Sequence, residues 1–325
     1  MSKIVHSILL MLGKDAARPA RDQFSSKALE IFKGKKTKEA VQERIRLIKE
    51  EKVWFKPGTK WLKRRWASVI IVNLLFVLSF WLDIQLIEGA LTGSRVVGFH
   101  MADLNSALQV MLAYKHIVVN LLIGTATVLF GWWLLGGRTF CAWACPYHLL
   151  AEIAEMIHMK LAAKGLVKDH TFDRRMRTVL YFIFAILAFV TGYTVFEYIS
   201  PVGILSRAFT YGASFALVIV GILLLIEIFY SRRFWCRYVC PIGLTYGFAG
   251  ALSPVQIKYD STKCLHEGEC RDVCMVPHVL EPTKLGFADQ EFHYMGADCT
   301  RCGMCLDACP TGALKFHIRG SDSLL

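Results

Sequence analysis

Charged residues are scarce in this chain of 325 residues, of which they make up 20%, whereas hydrophobic residues make up 54%. The mean hydropathy is +0.41. A soluble protein with this composition would expose large apolar patches to water, so a lipid-embedded portion is expected. The same composition excludes collagen-like and intrinsically disordered chains.

Acidic residues are scarce mainly at the N-terminus. Residues 1–66 contain 18 Lys and Arg against 7 Asp and Glu, whereas residues 252–325 contain 7 against 10. The positive charge therefore precedes the first long apolar run, where it can lie against anionic lipid headgroups. This distribution argues against a nucleic-acid-binding face and indicates membrane lipid as a partner.

Four apolar runs are long enough to cross a bilayer, for which a helix needs about 20 residues. They are Ala67–Ile87, Ile117–Leu135, Thr178–Phe196 and Ala208–Tyr230. Lys and Arg are alternately frequent and rare in the segments that flank these runs. The alternation predicts a multi-pass protein of the bacterial inner membrane with both termini in the cytoplasm.

The first 66 residues are not expected to contain an export signal. No small-x-small cleavage site follows the apolar run Ile4–Leu12, which we interpret as an interfacial or docking helix. Ala28–Trp54 has the pattern of one charged amphipathic helix. The sequence thus predicts three parts: a basic cytoplasmic segment (1–66), a transmembrane domain (67–251) and a C-terminal iron–sulfur domain (252–325).

The 11 cysteines have the spacing of metal ligands rather than of a disulfide framework. The C-terminal run is Cys299-x2-Cys302-x2-Cys305-x3-Cys309-Pro310. In bacterial ferredoxins three cysteines of such a run hold one [4Fe–4S] cluster and the fourth reaches a second cluster. Zinc is the less favoured alternative, because zinc knuckles place two CxxC pairs on either side of a longer spacer.

A partner run with one departure precedes it. Cys264, Cys270 and Cys274 match the first, third and fourth ligands, but Glu267 stands where the second cysteine belongs. The ferredoxin crossing pattern assigns Cys274 to the cluster of Cys299, Cys302 and Cys305. The other cluster then has Cys264, Cys270 and Cys309, with Glu267, His266, water or nothing as fourth ligand. It is predicted to be a [4Fe–4S] or a [3Fe–4S] cluster.

An internal repeat carries the remaining four cysteines. Arg138 and Cys141-x3-Cys145-Pro146 recur 95 residues later as Arg233 and Cys236-x3-Cys240-Pro241. Each copy follows a pair of apolar runs, which indicates a duplicated unit. Each proline should open a helix, Tyr147–Ala163 in one copy and one through Gly250 in the other, whose dipole should acidify the thiols. A metal or Fe–S site, a dithiol/disulfide couple and buried structural cysteines remain open.

These motifs together resemble the NapH/MauN family of membrane iron–sulfur proteins, which is related to the NosR and CcoG groups. The resemblance covers about Trp61 to Ile318, and its sharpest local match is Cys270-x3-Cys274-x2-Pro277-His278-Val279-Leu280. It implies a mainly α membrane protein with four transmembrane helices in two repeated pairs and a ferredoxin-like C-terminal domain. It also implies a quinol dehydrogenase subunit that works with a c-type cytochrome, a soluble oxidoreductase or a ferredoxin subunit.

A quinol site requires an apolar slot with hydrogen-bonding and proton-accepting groups near one membrane face. Met101–Lys115 is predicted to be a half-apolar helix that lies in the outer interface. The tentative quinol-site residues on that side are His116, Asp103, Gln109 and Asp83. Haem is not favoured, because the chain has no CxxCH motif.

Three functions are consistent with the sequence. The first is an electron-transfer subunit that couples the quinone/quinol pool to a respiratory redox partner. The second is a maturation protein, similar to CcoG, which reduces a metal ion for cofactor insertion. The third is a structural anchor that docks a soluble redox enzyme through residues 1–60.

Overall fold

The computed structural model describes residues 3–54, 57–82, 87–96 and 99–319. Helices predominate among these residues, and two three-stranded sheets accompany them. The helices are α1 Lys3–Met11, α2 Ser26–Gly34, α3 Lys38–Trp54, α4 Lys60–Trp81, α5 Leu104–Tyr114, α6 Val119–Leu135, α7 Thr139–Trp143, α8 Pro146–Ala163, α9 Arg175–Thr191, α10 Val195–Ile199, α11 Pro201–Tyr211, α12 Leu217–Phe229, α13 Ile242–Ala251, α14 Glu269–Asp272 and α15 Met304–Asp307. The strands are β1 Ile87–Ala90, β2 Gly93–Val96, β3 Phe99–Ala102, β4 Val255–Asp260, β5 Phe292–Tyr294 and β6 Leu314–Ile318.

Each of the four apolar runs overlaps a helix, but α6, α9 and α12 are shorter than their runs, and α4 begins before its run and ends before the run does. Helix α4 is the one helix in the described ranges that is both long and apolar enough to cross a membrane. Helices α6, α9 and α12 have 17, 17 and 13 residues. Four complete spans therefore stay a prediction.

The predicted ends of the first and third runs were wrong, and so was the continuity of the fourth run. Helix α4 ends at Trp81, and Ile87 already belongs to β1. Helix α9 ends at Thr191 because Gly192 adopts a left-handed conformation there, so Phe196 belongs to the separate helix α10. The fourth run is interrupted, since α11 ends at Tyr211 and α12 begins at Leu217.

Besides the Cys-x3-Cys-Pro motif, the two repeated halves share a short helix, α5 in the first half and α11 in the second. Each is about half as long as a helix that spans a membrane. Each has 11 residues, about 16 Å of helix. Asp103 caps α5, because its carboxylate accepts hydrogen bonds from the backbone N–H groups of Asn105 and Ser106 at 3.1 and 3.4 Å. Helix α11 begins at Pro201, a residue suited to the first helical turn.

Helix α5, predicted to lie in the outer interface, is packed inside the protein. Strand β3 crosses α6 at Gly124, where an added Cβ would overlap the carbonyl oxygen of His100. This close approach folds the segment inward, so α5 packs against α6, α9 and α13. Its polar residues Asn105 and Gln109 are buried, and the Gln109 amide oxygen accepts a hydrogen bond from the Phe196 N–H at 3.2 Å.

The two Cys-x3-Cys-Pro motifs fold alike. The N–H of Cys145 donates to the carbonyl of Phe140 at 3.2 Å, and that of Cys240 donates to the carbonyl of Trp235 at 2.8 Å. Both are bonds across five residues, so each motif forms a wide turn before its proline. Helices α8 and α13 then begin at or directly after the proline, as predicted.

The C-terminal part has the sheet order β5-β4-β6, with both neighbours antiparallel to β4. Its core is small and includes Ile257, Tyr259, Leu280 and Leu314. Seven of the cysteines surround this core, so bound clusters would supplement a limited apolar interior.

The N-terminal segment is attached to both other parts. Met11 is fully buried in a cluster with Leu244 and Ala297, and the Ser7 hydroxyl accepts a hydrogen bond from the Ala297 N–H at 2.6 Å. The helix predicted over Ala28–Trp54 is two helices, because the chain breaks at Lys35, the cap of α2. The predicted boundary at residue 66 falls within α4.

Candidate redox sites

Cys141, Cys145, Cys236 and Cys240 line a single cavity, here called the four-cysteine cavity. Its remaining lining includes Arg138, Tyr147, Val202, Trp235 and Met275. The wide turns of both motifs bring two cysteines each to this point. Val202, in the first turn of α11, shows that this half-helix begins at the cavity.

The thiols of this cavity are not acidified, contrary to the prediction. Burial, followed by repulsion from Cys141, raises the pKa of Cys145, and the same two effects raise the pKa of Cys240 to about 12. The dipoles of α8 and α13 are weaker than the cost of burying these charges. Four thiolates at this place therefore require a bound cation or cluster to compensate them.

Among the described residues, no three His, Cys, Asp or Glu side chains are gathered closely enough to hold a metal ion as they stand. Trp235 lines the cavity, and its buried indole Nε1 has no hydrogen-bond acceptor among the described residues. A guest with acceptor atoms, such as a cluster with inorganic sulfides, would satisfy it.

A buried ion pair joins this cavity to the C-terminal part. The Arg138 guanidinium pairs with the Asp298 carboxylate and also donates to the Asp298 carbonyl at 2.9 Å. Arg177 and His278 approach the same carboxylate at 3.0 and 2.8 Å. Burial alone would raise the pKa of Asp298, but the guanidinium groups of Arg138 and Arg177 hold it well below its usual range.

A second buried network surrounds the start of α8. Arg65 donates to Glu152 at 2.5 Å, and its Nη1 lies 2.7 Å from Nε2 of His148. Arg233 donates to Glu155 at 2.6 Å and to the His148 carbonyl at 3.2 Å. This network fixes α4, α8 and the second Cys-x3-Cys-Pro motif to one another.

Cys274 lies beside Cys299, Cys302 and Cys305, close enough for strong electrostatic interaction between the sulfurs. We call this group the proximal site, because Met275 next to Cys274 also lines the four-cysteine cavity. Cys236 likewise packs against the core of the C-terminal part. Arg237 fastens the contact by donating to the Met275 carbonyl at 2.7 Å.

Cys264, Cys270 and Cys309 line a second, more open cleft together with Glu267, and we call this the distal site. His266 is held by other partners. Its Nδ1 lies 2.8 Å from the Thr283 carbonyl, and its Nε2 lies 3.2 Å from Nζ of Lys35. Burial lowers the pKa of His266 to about 4. With both ring nitrogens engaged, His266 could become the fourth ligand only by giving up one of these contacts.

The residues of the tentative quinol site do not come together. Asp103 and Gln109 are buried, and burial raises the pKa of Asp103 to about 6. His116 is exposed beyond the far end of α5, about 16 Å or more along the helix from Asp103. Asp83 lies outside the described residues.

The sequence reading missed the buried partners of the cysteines: Arg65, Glu152, Asp298 and Trp235. One signal was available, since Arg138 and Arg233 occupy the same place three residues before the first cysteine of each copy. Their buried partners could not be read from spacing, because those partners come from distant parts of the chain.

Comparisons with known proteins agree with these sites. A domain family described as a 4Fe–4S binding domain matches residues 118–164 and 213–258, which contain the two Cys-x3-Cys-Pro motifs. A second family with the same description matches residues 296–315. No solved structure matches the chain.

Curated relatives match over most of their length. The methylamine utilization ferredoxin-type protein MauN of Methylobacillus flagellatus is 31% identical over 263 residues, which cover 79% of this chain and 91% of the relative. MauN of Methylorubrum extorquens is 28% identical over 263 residues, covering 80% and 90%. The ferredoxin-type protein NapH of Escherichia coli is 27% identical over 278 residues, covering 84% and 94%.

Proposed function

Since the chain belongs to the family of the ferredoxin-type proteins MauN and NapH, we propose that it is a membrane subunit that transfers electrons between the quinone/quinol pool and a respiratory redox partner. The observation that carries the proposal is the contiguous series of three cysteine groups. It runs from the distal site through the proximal site to the four-cysteine cavity.

In this proposal the proximal site holds a [4Fe–4S] cluster through Cys274, Cys299, Cys302 and Cys305. Iron–sulfur clusters of this type carry single electrons at potentials set by net charge, hydrogen bonds and solvent exposure. The protein contributes burial, since Cys274, Cys299 and Cys305 are each less than a tenth exposed. The distal site would hold a second cluster through Cys264, Cys270 and Cys309, with Glu267 as the fourth ligand.

The third centre is proposed for the four-cysteine cavity. Three observations support an iron–sulfur cluster there: the convergence of both motifs, the unpartnered Trp235 N–H and the match to a 4Fe–4S binding family. A disulfide couple is less favoured, because two disulfides would leave the Trp235 N–H without an acceptor.

Placement in a membrane is supported by the exposed faces of the long helices. Apolar side chains on α4, α6, α9 and α12 face outward, among them Ile71, Ile123, Phe182 and Leu225, which are each more than half exposed. Exposed aromatic residues mark the helix ends on the predicted outer side, as they do at membrane interfaces. They include Trp81, Tyr114, Tyr193 and Tyr211.

Two helices connect the four-cysteine cavity to that outer side. Asn73 of α4 donates to the carbonyl of Ala144, next to Cys145, at 3.0 Å and is followed by about 12 Å of helix up to Trp81. Helix α11 runs about 16 Å from its first turn, where Val202 lines the cavity, to Tyr211. The cavity would therefore lie toward the inner side, where the charge pattern predicts cytoplasmic loops.

The quinol site is proposed for the outer end of α5, at His116. Asp103 cannot contact the same quinol head group, since the length of α5 separates the two. Asp103 is instead placed beside Tyr246, inside the protein, where a quinol could reach it only after rearrangement.

Single Cys→Ser variants at the four-cysteine cavity test the proposal. Cys240→Ser should abolish reduction of the proximal and distal centres by quinol, while both centres stay assembled and reducible by dithionite. Cys302→Ser, the matched variant at the proximal site, should remove the proximal EPR signal itself. If quinol reduces the proximal and distal centres of the Cys240→Ser protein at the wild-type rate, a redox role of this cavity is refuted and the structural-anchor alternative is favoured.

A further inference from the structure

Arg138 lies between two of the cysteine groups. Its side chain is 1% exposed and lines the four-cysteine cavity together with Cys141, Cys236 and Cys240, with which it interacts electrostatically. On its other side it binds both the carbonyl and the carboxylate of Asp298. Asp298 directly precedes Cys299 of the proximal site.

A glycine leaves room for the Arg138 guanidinium. Gly243 stands in the first turn of α13, and a Cβ at that position would lie 2.8 Å from Nη2 of Arg138. A larger residue would push the guanidinium away from the cavity. The position of Arg138 therefore depends on two separate parts of the chain, α13 and the loop before Cys299.

Arg233 occupies the equivalent position in the second copy but has different partners. Its guanidinium donates to Glu155 and to the His148 carbonyl and lies 3.9 Å from Glu152, all of which belong to α8. It is as deeply buried as Arg138 and lies near Cys236. The repeat thus supplies one arginine that lines the four-cysteine cavity and binds Asp298 beside the proximal site, and one that lies near Cys236 but binds residues of α8.

From this asymmetry we propose that Arg138 is a positioning residue that couples the four-cysteine cavity electrostatically to the proximal site. The proposal rests on the proposed function, because it requires a redox centre at both places. A buried positive charge near a cluster favours its reduced form and raises its reduction potential. Because a buried charge is poorly screened, Arg138 should raise the reduction potentials of both centres.

The signs of the expected shifts follow from the charges. Removing the positive charge in Arg138→Gln should lower the reduction potentials of both centres. Asp298→Asn removes the negative charge from the same pair, leaves Arg138 and Arg177 uncompensated and should raise both potentials. Damage to the fold cannot produce shifts of opposite sign from two partners of one ion pair.

The experiment is a redox titration of the full-length protein in detergent, followed by EPR, in five forms. The wild type, Arg138→Lys, Arg138→Gln, Asp298→Asn and Arg233→Gln are compared. Arg138→Gln should lower both potentials, Arg233→Gln should lower only that of the four-cysteine centre, and Arg138→Lys should stay closest to the wild type. If Arg138→Gln does not fold, Asp298→Asn provides the test instead. Asp298→Asn should raise both reduction potentials, and Arg233→Gln should not.

Two failures are distinguishable. A wild-type protein with about eight iron atoms and no third signal refutes the four-cysteine centre itself, before any variant is made. Three centres whose potentials do not respond to Arg138→Gln or to Asp298→Asn refute the coupling role of Arg138 alone. Equal shifts in Arg138→Gln and Arg233→Gln at both centres would also overturn it.

Discussion

Replacement of Arg65 by methionine should strongly destabilise the membrane domain. Arg65 and Glu152 are 2% and 5% exposed, and their side chains are 2.5 Å apart. Methionine retains most of the apolar stem but leaves the Glu152 carboxylate with the Trp66 indole at 3.0 Å and with Arg233 at 3.9 Å. Removing one partner of a buried ion pair costs about 3–5 kcal/mol, and these remaining contacts place the expected loss near about 3 kcal/mol.

The double variant Arg65→Met/Glu152→Leu separates the lost charge pair from lost packing. Replacing both charges by apolar groups of similar size is often nearly neutral, so the double variant should recover most of the stability. The assay is unfolding by denaturant in detergent, followed by tryptophan fluorescence. A loss below about 1 kcal/mol in Arg65→Met, or a double variant that is no more stable than the single one, would refute the reasoning.

Three further predictions concern the topology, the distal site and the proposed quinol site. A reporter fused after Leu325 should be cytoplasmic, whereas one inserted near Gly98 should be periplasmic; a C-terminal fusion found outside would reverse the orientation. Glu267→Cys should convert the distal EPR signal into that of an ordinary [4Fe–4S] cluster, and an unchanged signal would exclude residue 267 as a ligand. His116→Ala should lower the rate of quinol oxidation about 100-fold. His100→Ala, also exposed, should not, and equal effects of the two variants would count against a quinol site at His116.

Local motifs were predictable because their signals are local. Pro146 and Pro241 fix where α8 and α13 begin, since proline suits a first helical turn and the residues after it form helix readily. The cysteine spacing predicted which sulfurs share a site, and Cys274 indeed lies with the later run. Such inferences need only a few neighbouring residues.

Features that depend on tertiary contacts were not predictable. The alternating polar and apolar residues of α5 favoured a helix in the interface, yet Asn105 and Gln109 are buried because β3 folds inward across Gly124. The acidity of the thiols was predicted from helix position, but burial outweighs the helix dipole. Arg138 and Arg233 are equivalent in sequence, and only the fold reveals their different partners.

The most direct test of a membrane electron-transfer subunit with three iron–sulfur centres is the iron and sulfide content of the purified protein, with EPR before and after addition of quinol. About twelve iron atoms per chain are expected if all three centres are [4Fe–4S] clusters, or about eleven with a [3Fe–4S] distal cluster. Quinol should then reduce these centres in the wild type. Zinc in place of iron at the four-cysteine cavity, or fully assembled clusters that quinol leaves oxidised although dithionite reduces them, would contradict the proposed function.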